Sequence, residues 1–310
     1  MTGFSVDWLH LREPFDRAAR KAAWEEGGLA KLLARWCRQC PANSFAVIDL
    51  ACGLGANLRE LAPRLGGAQH WRLVDHDPVL LGAVPRALEE WAHRHDYRFT
   101  RAGDAGAARP IEIIGSGFRA QVVLQQLDLA RNLDKLDLRG TYLVTASALL
   151  DLVSAPWLRT LLRKAQANRC AMWFALNVDG RTTWDPPDPD DERVHRLFGR
   201  HQRRDKGFGD ALGPRAAAFV MQEIAGYGYE SLQAQTDWVI DGAQAPDMQR
   251  AMIEGIARAA LEQDPGSENV VRPWKARRSA AVGSSRLRVG HVDILATPVQ
   301  VDARRSRSHK

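Results

Sequence analysis

The segment Asp49–Asn57 combines an acidic residue, small residues and a helix start in the pattern of a nucleotide site. An apolar stretch, 46–50, leads into a turn that contains Gly53 and Gly55. A turn of small residues lets a ligand lie against bare backbone, and the N-terminus of the following helix offers free N–H groups and a partial positive charge. Twenty residues after Gly55, a second apolar stretch ends at Asp75, whose carboxylate is placed to bind ribose hydroxyls. These residues predict a nucleotide-binding βαβ unit.

The same residues resemble the class I S-adenosylmethionine (SAM) dependent methyltransferases. In that family, the first strand is followed by a turn of the form acidic-x-Gly-x-Gly-x-Gly. Here the turn reads Asp49-Leu50-Ala51-Cys52-Gly53-Leu54-Gly55, with Ala51 in place of the first glycine. Alanine adopts a positive φ less readily than glycine. The resemblance covers about residues 44–178, and the flanking segments look like those of a poorly characterised bacterial branch.

The resemblance implies that SAM is the cofactor. Asp75 matches the family's acid after strand two and would accept hydrogen bonds from both ribose hydroxyls. Asp128 matches the acid after strand three and would receive a hydrogen bond from the adenine amine. His76 and Leu129 would flank the adenine ring, and the two glycines would lie against the methionyl part. The cofactor contacts that we expect are Asp49, Ala51, Gly53, Gly55, Asn57, Asp75, His76, Asp128, Leu129 and Arg12.

A dinucleotide site is the main alternative for the turn. The dinucleotide fingerprint is Gly-x-Gly-x-x-Gly without a leading acid. Here Asp49 precedes the turn, and no third glycine follows at the right distance. The sequence therefore favours SAM over NAD, and a structural turn without a ligand is the remaining alternative.

Three charged residues outside the turn are candidates for the chemistry. Methyl transfer from a sulfonium depends mainly on alignment and exclusion of water, and a base matters only if the nucleophile arrives protonated. Asp151 follows the fourth predicted strand, where the resembling family commonly places catalytic groups, and His201 opens a polar, glycine-hinged segment, 201–209, interpreted as a lid. We predict both as catalytic. The alternatives are a solvated carboxylate for Asp151 and an exposed polar loop for His201. Arg12 is predicted to bind the SAM carboxylate in bidentate fashion, with an ordinary ion pair as its alternative.

No metal site is expected. Cys37 and Cys40 have the spacing of a zinc or redox motif, but no second Cys-x-x-Cys or paired histidine accompanies them. With four cysteines in 310 residues, a disulfide framework is not expected either.

Apolar stretches alternate with helical patterns along the chain, which predicts an α/β fold with a doubly wound, mostly parallel, Rossmann-like sheet of seven strands. We expect an N-terminal helical cap at 1–43 and a SAM-binding domain at 44–300. That domain would carry a lid insertion at about 178–213 and a helical insertion at about 243–288. Residues 301–310 are expected to form a disordered basic tail.

Composition and charge limit the partners and the cellular location that we expect. The hydrophobic content of 45% supports a real core, and no apolar run is long enough to cross a membrane. The net charge is +6, but the last seven residues contribute +4, so the body carries only about +2 and nucleic acid binding is unlikely on charge alone. No secretory signal is visible, so a cytoplasmic location is expected. The sequence leaves the oligomeric state open.

The predicted function is methyl transfer from SAM to a small molecule. Two alternatives keep SAM. In one, SAM is itself the substrate of a cyclase or lyase: its own amine or carboxylate attacks the γ-carbon and releases methylthioadenosine, with an azetidine or lactone as product. In the other, the acceptor is RNA. A non-enzymatic SAM-binding protein is a further alternative.

Overall fold

The computed structural model describes residues 5–26, 28–40, 44–101 and 110–299 of the chain. The tail predicted at 301–310 and parts of the predicted cap lie outside the described residues. The helices are α1 Val6–Glu26, α2 Leu29–Cys37, α3 Ala56–Leu65, α4 Pro78–Arg94, α5 Ala155–Ala167, α6 Asp191–Gln202, α7 Ala216–Gly226, α8 Pro246–Gln263 and α9 Glu268–Ala280. The strands are β1 Phe45–Leu50, β2 Gly67–Asp75, β3 Arg98–Arg101, β4 Ile111–Gly115, β5 Phe118–Gln126, β6 Leu143–Ser147, β7 Ala171–Asp185, β8 Tyr229–Gln235, β9 Trp238–Asp241 and β10 Arg286–Pro298.

The described strands form one sheet of ten, and not the seven that the sequence predicts. Their order is β3-β4-β5-β2-β1-β6-β7-β10-β8, with β9 paired to β10. The central strands β5, β2, β1, β6 and β7 are parallel, whereas β10 runs antiparallel to its neighbours. The extra strands are the β3–β4 hairpin at one edge and the short β9. The prediction of a mostly parallel α/β sheet is confirmed and the strand number is corrected.

The order of the central strands creates the site. From β1 the chain crosses to β2 on one side and later returns to β6 on the other side. At such a switch point the turns after neighbouring strands point away from each other and leave a crevice at the carboxyl edge of the sheet. The turn after β1, Asp75 at the end of β2 and Ser147 at the end of β6 all reach this edge.

Helices α1 and α2 pack on the sheet as part of one core with it. Trp24 of α1 stacks on Trp173 of β7, with ring centroids 5.4 Å apart and planes 5° from parallel. Leu29 of α2 is fully buried and Leu33 is 2% exposed. Burying apolar faces in this way is what holds an amphipathic helix on a sheet. Helix α1 reaches the carboxyl edge of the sheet, where Arg20 contacts Ser147 of β6, whereas α2 lies near the start of β6, where Trp36 donates to the carbonyl of Tyr142 at 3.0 Å.

The sequence predicts that β7 ends near residue 176, with a lid insertion from 178, but the strand continues to Asp185. The Asp179-Gly180 pair was interpreted as a turn. In the structure Gly180 has φ +86° and lies inside β7, next to a register shift of the antiparallel partner β10. A bulge of this kind bends a strand without ending it. Residues 182–185 thus extend the sheet as an arm of three strands, with β10 in the middle and β9 on its other side.

The arm contacts the helices that follow through Trp184 of β7, which donates from Nε1 to His195 of α6 at 3.2 Å and packs edge-on against Trp274 of α9. Trp274 of α9 donates from Nε1 to Asp191 of α6 at 2.8 Å, and Arg278 of α9 pairs with the same carboxylate. Because Arg278 is 3% exposed, this ion pair is buried.

Among the described helices, none is both long and apolar enough to cross a membrane.

Candidate functional site

The turn between β1 and α3 is built from left-handed backbone. Ala51 has φ +51°, Gly53 φ +53° and Gly55 φ +76°. The alanine therefore adopts the conformation that the glycine of the resembling family would adopt, at a cost of about 1–2 kcal/mol for a residue with a Cβ. Strained backbone of this kind persists where the surrounding structure fixes it. Gly55 caps the N-terminus of α3, which opens beside the turn.

Asp75 lies against this turn. Its Oδ2 accepts a hydrogen bond from the backbone N–H of Gly53 at 2.9 Å, and its Oδ1 accepts one from the N–H of Asp77 at 3.1 Å. The residue is 4% exposed. Because a carboxylate has about four acceptor positions, both oxygens keep capacity for a ligand. The predicted ribose-binding acid is thus in contact with the predicted cofactor turn.

Asp49 is buried under the turn with one oxygen unused. Asn57 donates to its Oδ1 at 2.8 Å and also lies 3.1 Å from the Thr145 hydroxyl. The Oδ2 atom is buried and has no hydrogen-bond partner among the described residues. Burial raises the pKa of Asp49 to about 7, opposed by the Asn57 hydrogen bond and the charge of Arg20. An unpartnered buried oxygen is costly, so this atom marks a place for a donor.

The loops after β2 and β5 lie side by side, where the adenine is expected. Leu127 donates from its backbone N to the carbonyl of Asp75 at 2.8 Å. Asp128 accepts from the N–H groups of Ala130 and Arg131 at 3.0 and 3.2 Å, and Leu129 is 4% exposed. The structure therefore brings Asp128 and Leu129 next to the end of β2, which is followed by the half-exposed His76.

Helix α1 covers the turn. A Cβ at Gly53 would lie 3.2 Å from Leu9 of α1. Glu13 forms an ion pair of 2.9 Å with the buried Arg59 of α3. Between α1 and the turn lies a cavity of about 60 Å³, lined also by Asp49 and Ser147. The cap thus forms a wall of the site.

Arg12 takes the alternative role that the sequence left open. Its guanidinium donates to Asp16 at 2.9 and 3.2 Å and lies 5.0 Å from the Trp238 ring centre. Trp238 donates to the same carboxylate at 3.0 Å. Arg12 lines the cavity at the turn. Asp16 accepts from its Nε and Nη2, and contact of Arg12 with the SAM carboxylate stays a prediction.

Arg20 is a residue that the sequence reasoning missed. It is 6% exposed, its Nη2 donates to the Ser147 hydroxyl at 2.5 Å, and its Nε is buried without a partner among the described residues. The signal was present in the spacing of Arg12, Asp16 and Arg20. Residues four apart share one helix face, and Ala19 and Ala23 put an apolar stripe beside them. Charges on a face that must be buried indicate a polar site.

Asp151 lies after β6 and has a buried, unpartnered oxygen. Its Oδ1 has no partner among the described residues. Burial raises the pKa of Asp151 to about 6, opposed by the charges of Arg12 and Lys206. The segment is fixed by backbone bonds, from Gly213 to the carbonyl of Asp151 at 3.0 Å and from Leu212 to that of Val153 at 2.9 Å.

His201 is farther from the turn and already has a partner. Its Nε2 lies 2.9 Å from a carboxylate oxygen of Glu262 in α8. Burial lowers the pKa of His201, helped by the charge of Lys206. Lys206 thus acts electrostatically on both predicted catalytic residues.

The segment expected to be a hinged lid is held in place. Asp205 accepts from the N–H groups of Gly207 and Gly209 at 2.6 and 3.0 Å. Phe208 packs edge-on against Trp157, with centroids 5.3 Å apart. Its glycines therefore complete a capped loop that positions Lys206.

The thiols of the Cys-x-x-Cys segment are protonated at neutral pH. Burial raises the pKa of Cys37 to about 12 and that of Cys40 to about 11. Within the ranges that the structure describes, no group of three or more His, Cys, Asp or Glu residues is placed to hold a metal ion.

Comparison with known proteins finds no matching family model and no matching curated protein sequence. The structure is similar to that of a cyclopropane-fatty-acyl-phospholipid synthase-like protein from Lactobacillus casei, with a TM-score of 0.50 and 16% identity over 95% of this chain and 94% of that chain. The chain shares the fold of that protein. The resemblance seen in the sequence is confirmed at this level.

Two further similar structures have lower TM-scores. One is a SAM-dependent methyltransferase from Geobacter sulfurreducens in complex with S-adenosyl-L-homocysteine, at TM-score 0.41 and 13% identity over 87% of this chain and 90% of that chain. The other is a cyclopropane synthase from Mycobacterium tuberculosis, at TM-score 0.41 and 10% identity over 86% of this chain and 83% of that chain. Since one fold hosts many activities, the reaction has to be inferred from the site.

Proposed function

We propose that this chain is a SAM-dependent methyltransferase that acts on a small molecule. The observation that carries the proposal is the hydrogen bond from the Gly53 N–H to the Asp75 carboxylate, within a left-handed turn at the sheet's switch point. This hydrogen bond links the glycine turn to Asp75, the acid predicted to bind the ribose, which are the two parts of the predicted nucleotide site. The same edge also presents Asp49 and Asp128.

The residues fit SAM. The unpartnered Oδ2 of Asp49 can accept from the ammonium group, and Asp75 has acceptor capacity for the ribose. His76, Asp128 and Leu129 would border the adenine. Gly53, Gly55 and Asn57 would border the methionyl part beside the N-terminus of α3.

When bound, SAM supplies a methyl group that is activated by a positively charged sulfur. The chain's part is to align the acceptor and to exclude water, and α1 contributes by covering the turn. Asp151 would take the proton from an acceptor hydroxyl or ammonium through its free Oδ1. With a pKa of about 6, Asp151 is mostly ionised at neutral pH, as a base must be. His201 is the second candidate base, since its lowered pKa keeps it neutral there.

The walls of the site favour a small acceptor. Helix α1 lies over the turn, and Lys206 is held near Asp151 by a capped loop. A folded macromolecule would have to displace these elements to bring an atom in line with the methyl group. The enclosure therefore supports a metabolite as the substrate.

Calorimetric titration with S-adenosylhomocysteine tests the cofactor assignment. We expect binding by the wild-type protein and an affinity at least about tenfold lower for Asp75→Asn, because an amide cannot accept two ribose hydroxyls while it also accepts from Gly53. Asp247→Asn, at a carboxylate whose side chain is 82% exposed, is the matched control and should bind as the wild type does.

Methyl-labelled SAM then tests the reaction on a metabolite extract. We expect label in a small molecule together with release of S-adenosylhomocysteine. Well-folded protein that gives no heat with SAM or S-adenosylhomocysteine contradicts the cofactor assignment. Label in RNA or protein alone contradicts the small acceptor.

A further inference from the structure

We propose that Asp49, Ser147 and Arg20 form a receptor for the zwitterionic amino-acid end of SAM. Ser147 contacts the carboxylate, Arg20 positions and polarises Ser147, and Asp49 binds the ammonium group. This inference rests on the proposed function and adds to it a cation from α1 that the cofactor motif does not contain.

The donor end of the receptor is Arg20 with Ser147. The Ser147 oxygen accepts from Arg20 Nη2 through one of its two lone pairs, and its hydroxyl proton is free to donate elsewhere. Ser147 lines the cavity at the turn, so that proton can point into the cavity. The buried Arg20 Nε has no partner among the described residues. A guanidinium that is 6% exposed with unused donors is suited to an anionic group.

The acceptor end is Asp49. Asn57 uses only its Oδ1, and the buried Oδ2 is left for a donor. Asp49 lines the same cavity as Ser147. The receptor therefore presents one unused carboxylate oxygen and one available hydroxyl proton to a single space, which matches the ammonium and carboxylate of an α-amino acid.

The spacing fits such a group. Asp49 of β1 is paired with Thr145 of β6, and Ser147 lies two residues farther along β6, on the same face as Thr145. For neighbouring parallel strands this puts the two Cα atoms about 8 Å apart. An ammonium and a carboxylate joined by one carbon span about 3 Å, and a hydrogen bond of about 2.8 Å on each side covers the remainder.

Asp293 explains how the cation is tolerated before the ligand binds. Its charge interacts with that of Arg20. Its Oδ1 accepts from the N–H of Leu176 at 2.8 Å and from the Thr236 hydroxyl at 3.0 Å, and its Oδ2 accepts from Trp173 Nε1 at 3.1 Å. Asp293 thus balances the charge of Arg20 without using its donors.

The test compares three ligands by calorimetry. S-adenosylhomocysteine carries both charged groups, its decarboxylated analogue keeps only the ammonium, and methylthioadenosine has neither. For Ser147→Ala and Arg20→Met we expect an affinity for S-adenosylhomocysteine at least about tenfold lower, with the other two ligands within about twofold of wild type. Arg20→Lys should recover part of the loss. Asp49→Asn should weaken both ammonium-bearing ligands and leave methylthioadenosine unchanged.

Lys21→Met, at the next position of α1 with a side chain that is 70% exposed, is the matched control and should leave all three affinities unchanged. If Ser147→Ala binds S-adenosylhomocysteine as the wild type does, the receptor is wrong, and this small substitution answers the question even if Arg20→Met fails to fold. Equal weakening of all three ligands by a folded Arg20→Met makes Arg20 structural and also overturns the receptor.

A wild-type protein that binds methylthioadenosine as tightly as S-adenosylhomocysteine contradicts the receptor and leaves the proposed function standing. A wild-type protein that binds none of the three ligands contradicts the proposed function as well.

Discussion

Two buried carboxylates at the sheet edge each have one oxygen without a partner among the described residues, Asp49 Oδ2 and Asp151 Oδ1. Buried polar atoms in folded proteins are nearly always paired, because an unpaired one costs about 1–3 kcal/mol. The carboxylates at the ends of the charged network over β7 and β10 behave differently, since Asp179 and Asp237 both pair with Arg181. The unpartnered oxygens of Asp49 and Asp151 are therefore available to a ligand, as the proposed function requires.

We expect the ionisation of Asp151 to set the acid limb of the pH profile of methyl transfer. Because burial raises the pKa of Asp151 to about 6, the ionised base is present above that pH and is lost as the pH falls through it. We expect kcat/KM to decline below about pH 6, and Asp151→Asn to lower kcat by about 10²–10⁴ with cofactor affinity unchanged. The measurement is a pH profile with S-adenosylhomocysteine binding in parallel.

Asp210→Asn, an exposed carboxylate in the neighbouring loop, is the control and should keep the wild-type profile. If Asp151→Asn keeps the acid limb and His201→Asn removes it, the base is His201 instead. Loss of cofactor binding in Asp151→Asn would show that this residue is not a base but part of the cofactor site.

At the scale of elements, the turn between β1 and α3 depends on its neighbours for its shape. Gly53 and Gly55 take positive φ without strain, whereas Ala51 does so with a Cβ. The strain is held by the backbone bond from Cys52 to Val74 of β2 at 3.0 Å and by the bond from Gly53 to Asp75. Strand β2 thus keeps the turn in its binding conformation.

Replacement of this alanine by glycine should stabilise the protein. At a positive φ, Ala51→Gly removes strain, and we expect the free energy of unfolding to rise by about 0.5–1 kcal/mol with unchanged affinity for S-adenosylhomocysteine. Ala56→Gly at the start of α3 is the matched control and should lower it by about 0.5–1 kcal/mol. Chemical denaturation measures both, and a destabilised Ala51→Gly variant would contradict a strained turn.

At the scale of the whole molecule, the ten-stranded sheet gathers buried carboxylates from distant segments. Burial raises the pKa of Asp49, Asp151 and Asp293 above the usual range. A raised folded pKa means that these groups favour the folded state most at low pH, and that this contribution is lost as the pH rises toward 7. The ionised carboxylates of the site therefore lower the free energy of unfolding near neutral pH, where the enzyme would work.

Removing the charge at Asp49 should weaken ligand binding and raise the free energy of unfolding. In Asp49→Asn the side chain at position 49 is neutral at every pH. At pH 8 we expect the free energy of unfolding of this variant to exceed that of the wild type by on the order of 2 kcal/mol. At pH 5 the carboxyl is protonated in the folded protein but still ionised in the unfolded chain, so the difference should be smaller than at pH 8 and approach zero only below about pH 4. Denaturation at the two pH values checks this, with Asp247→Asn as an exposed control that should show no such dependence. A constant difference would mean that Asp49 is already ionised at pH 5.

The sequence predicted the parts of the fold whose signal is local. The turn and the apolar strands that end at Leu50 and at Asp75 follow from residue spacing and apolar periodicity. The continuation of β7 past Asp179-Gly180 was missed, because a bulge and a turn have the same residues, and only pairing with β10 distinguishes them. The division of the chain into cap, lid and insertion stays a prediction.

The sequence by itself determined the cofactor turn and its acids, since a ligand that touches backbone restricts residue types over a few adjacent positions. Only the tertiary structure decided which charges are used and which are free. Arg12 and Arg20 lie two turns apart on one helix. Arg12 pairs with Asp16 of the same helix, whose carboxylate also accepts from Trp238 of β9, whereas Arg20 reaches the Ser147 hydroxyl of β6. The spacing of Arg12 and Asp16 is a local pattern, but the contacts to Trp238 and Ser147 join segments far apart along the chain, and no local pattern records those.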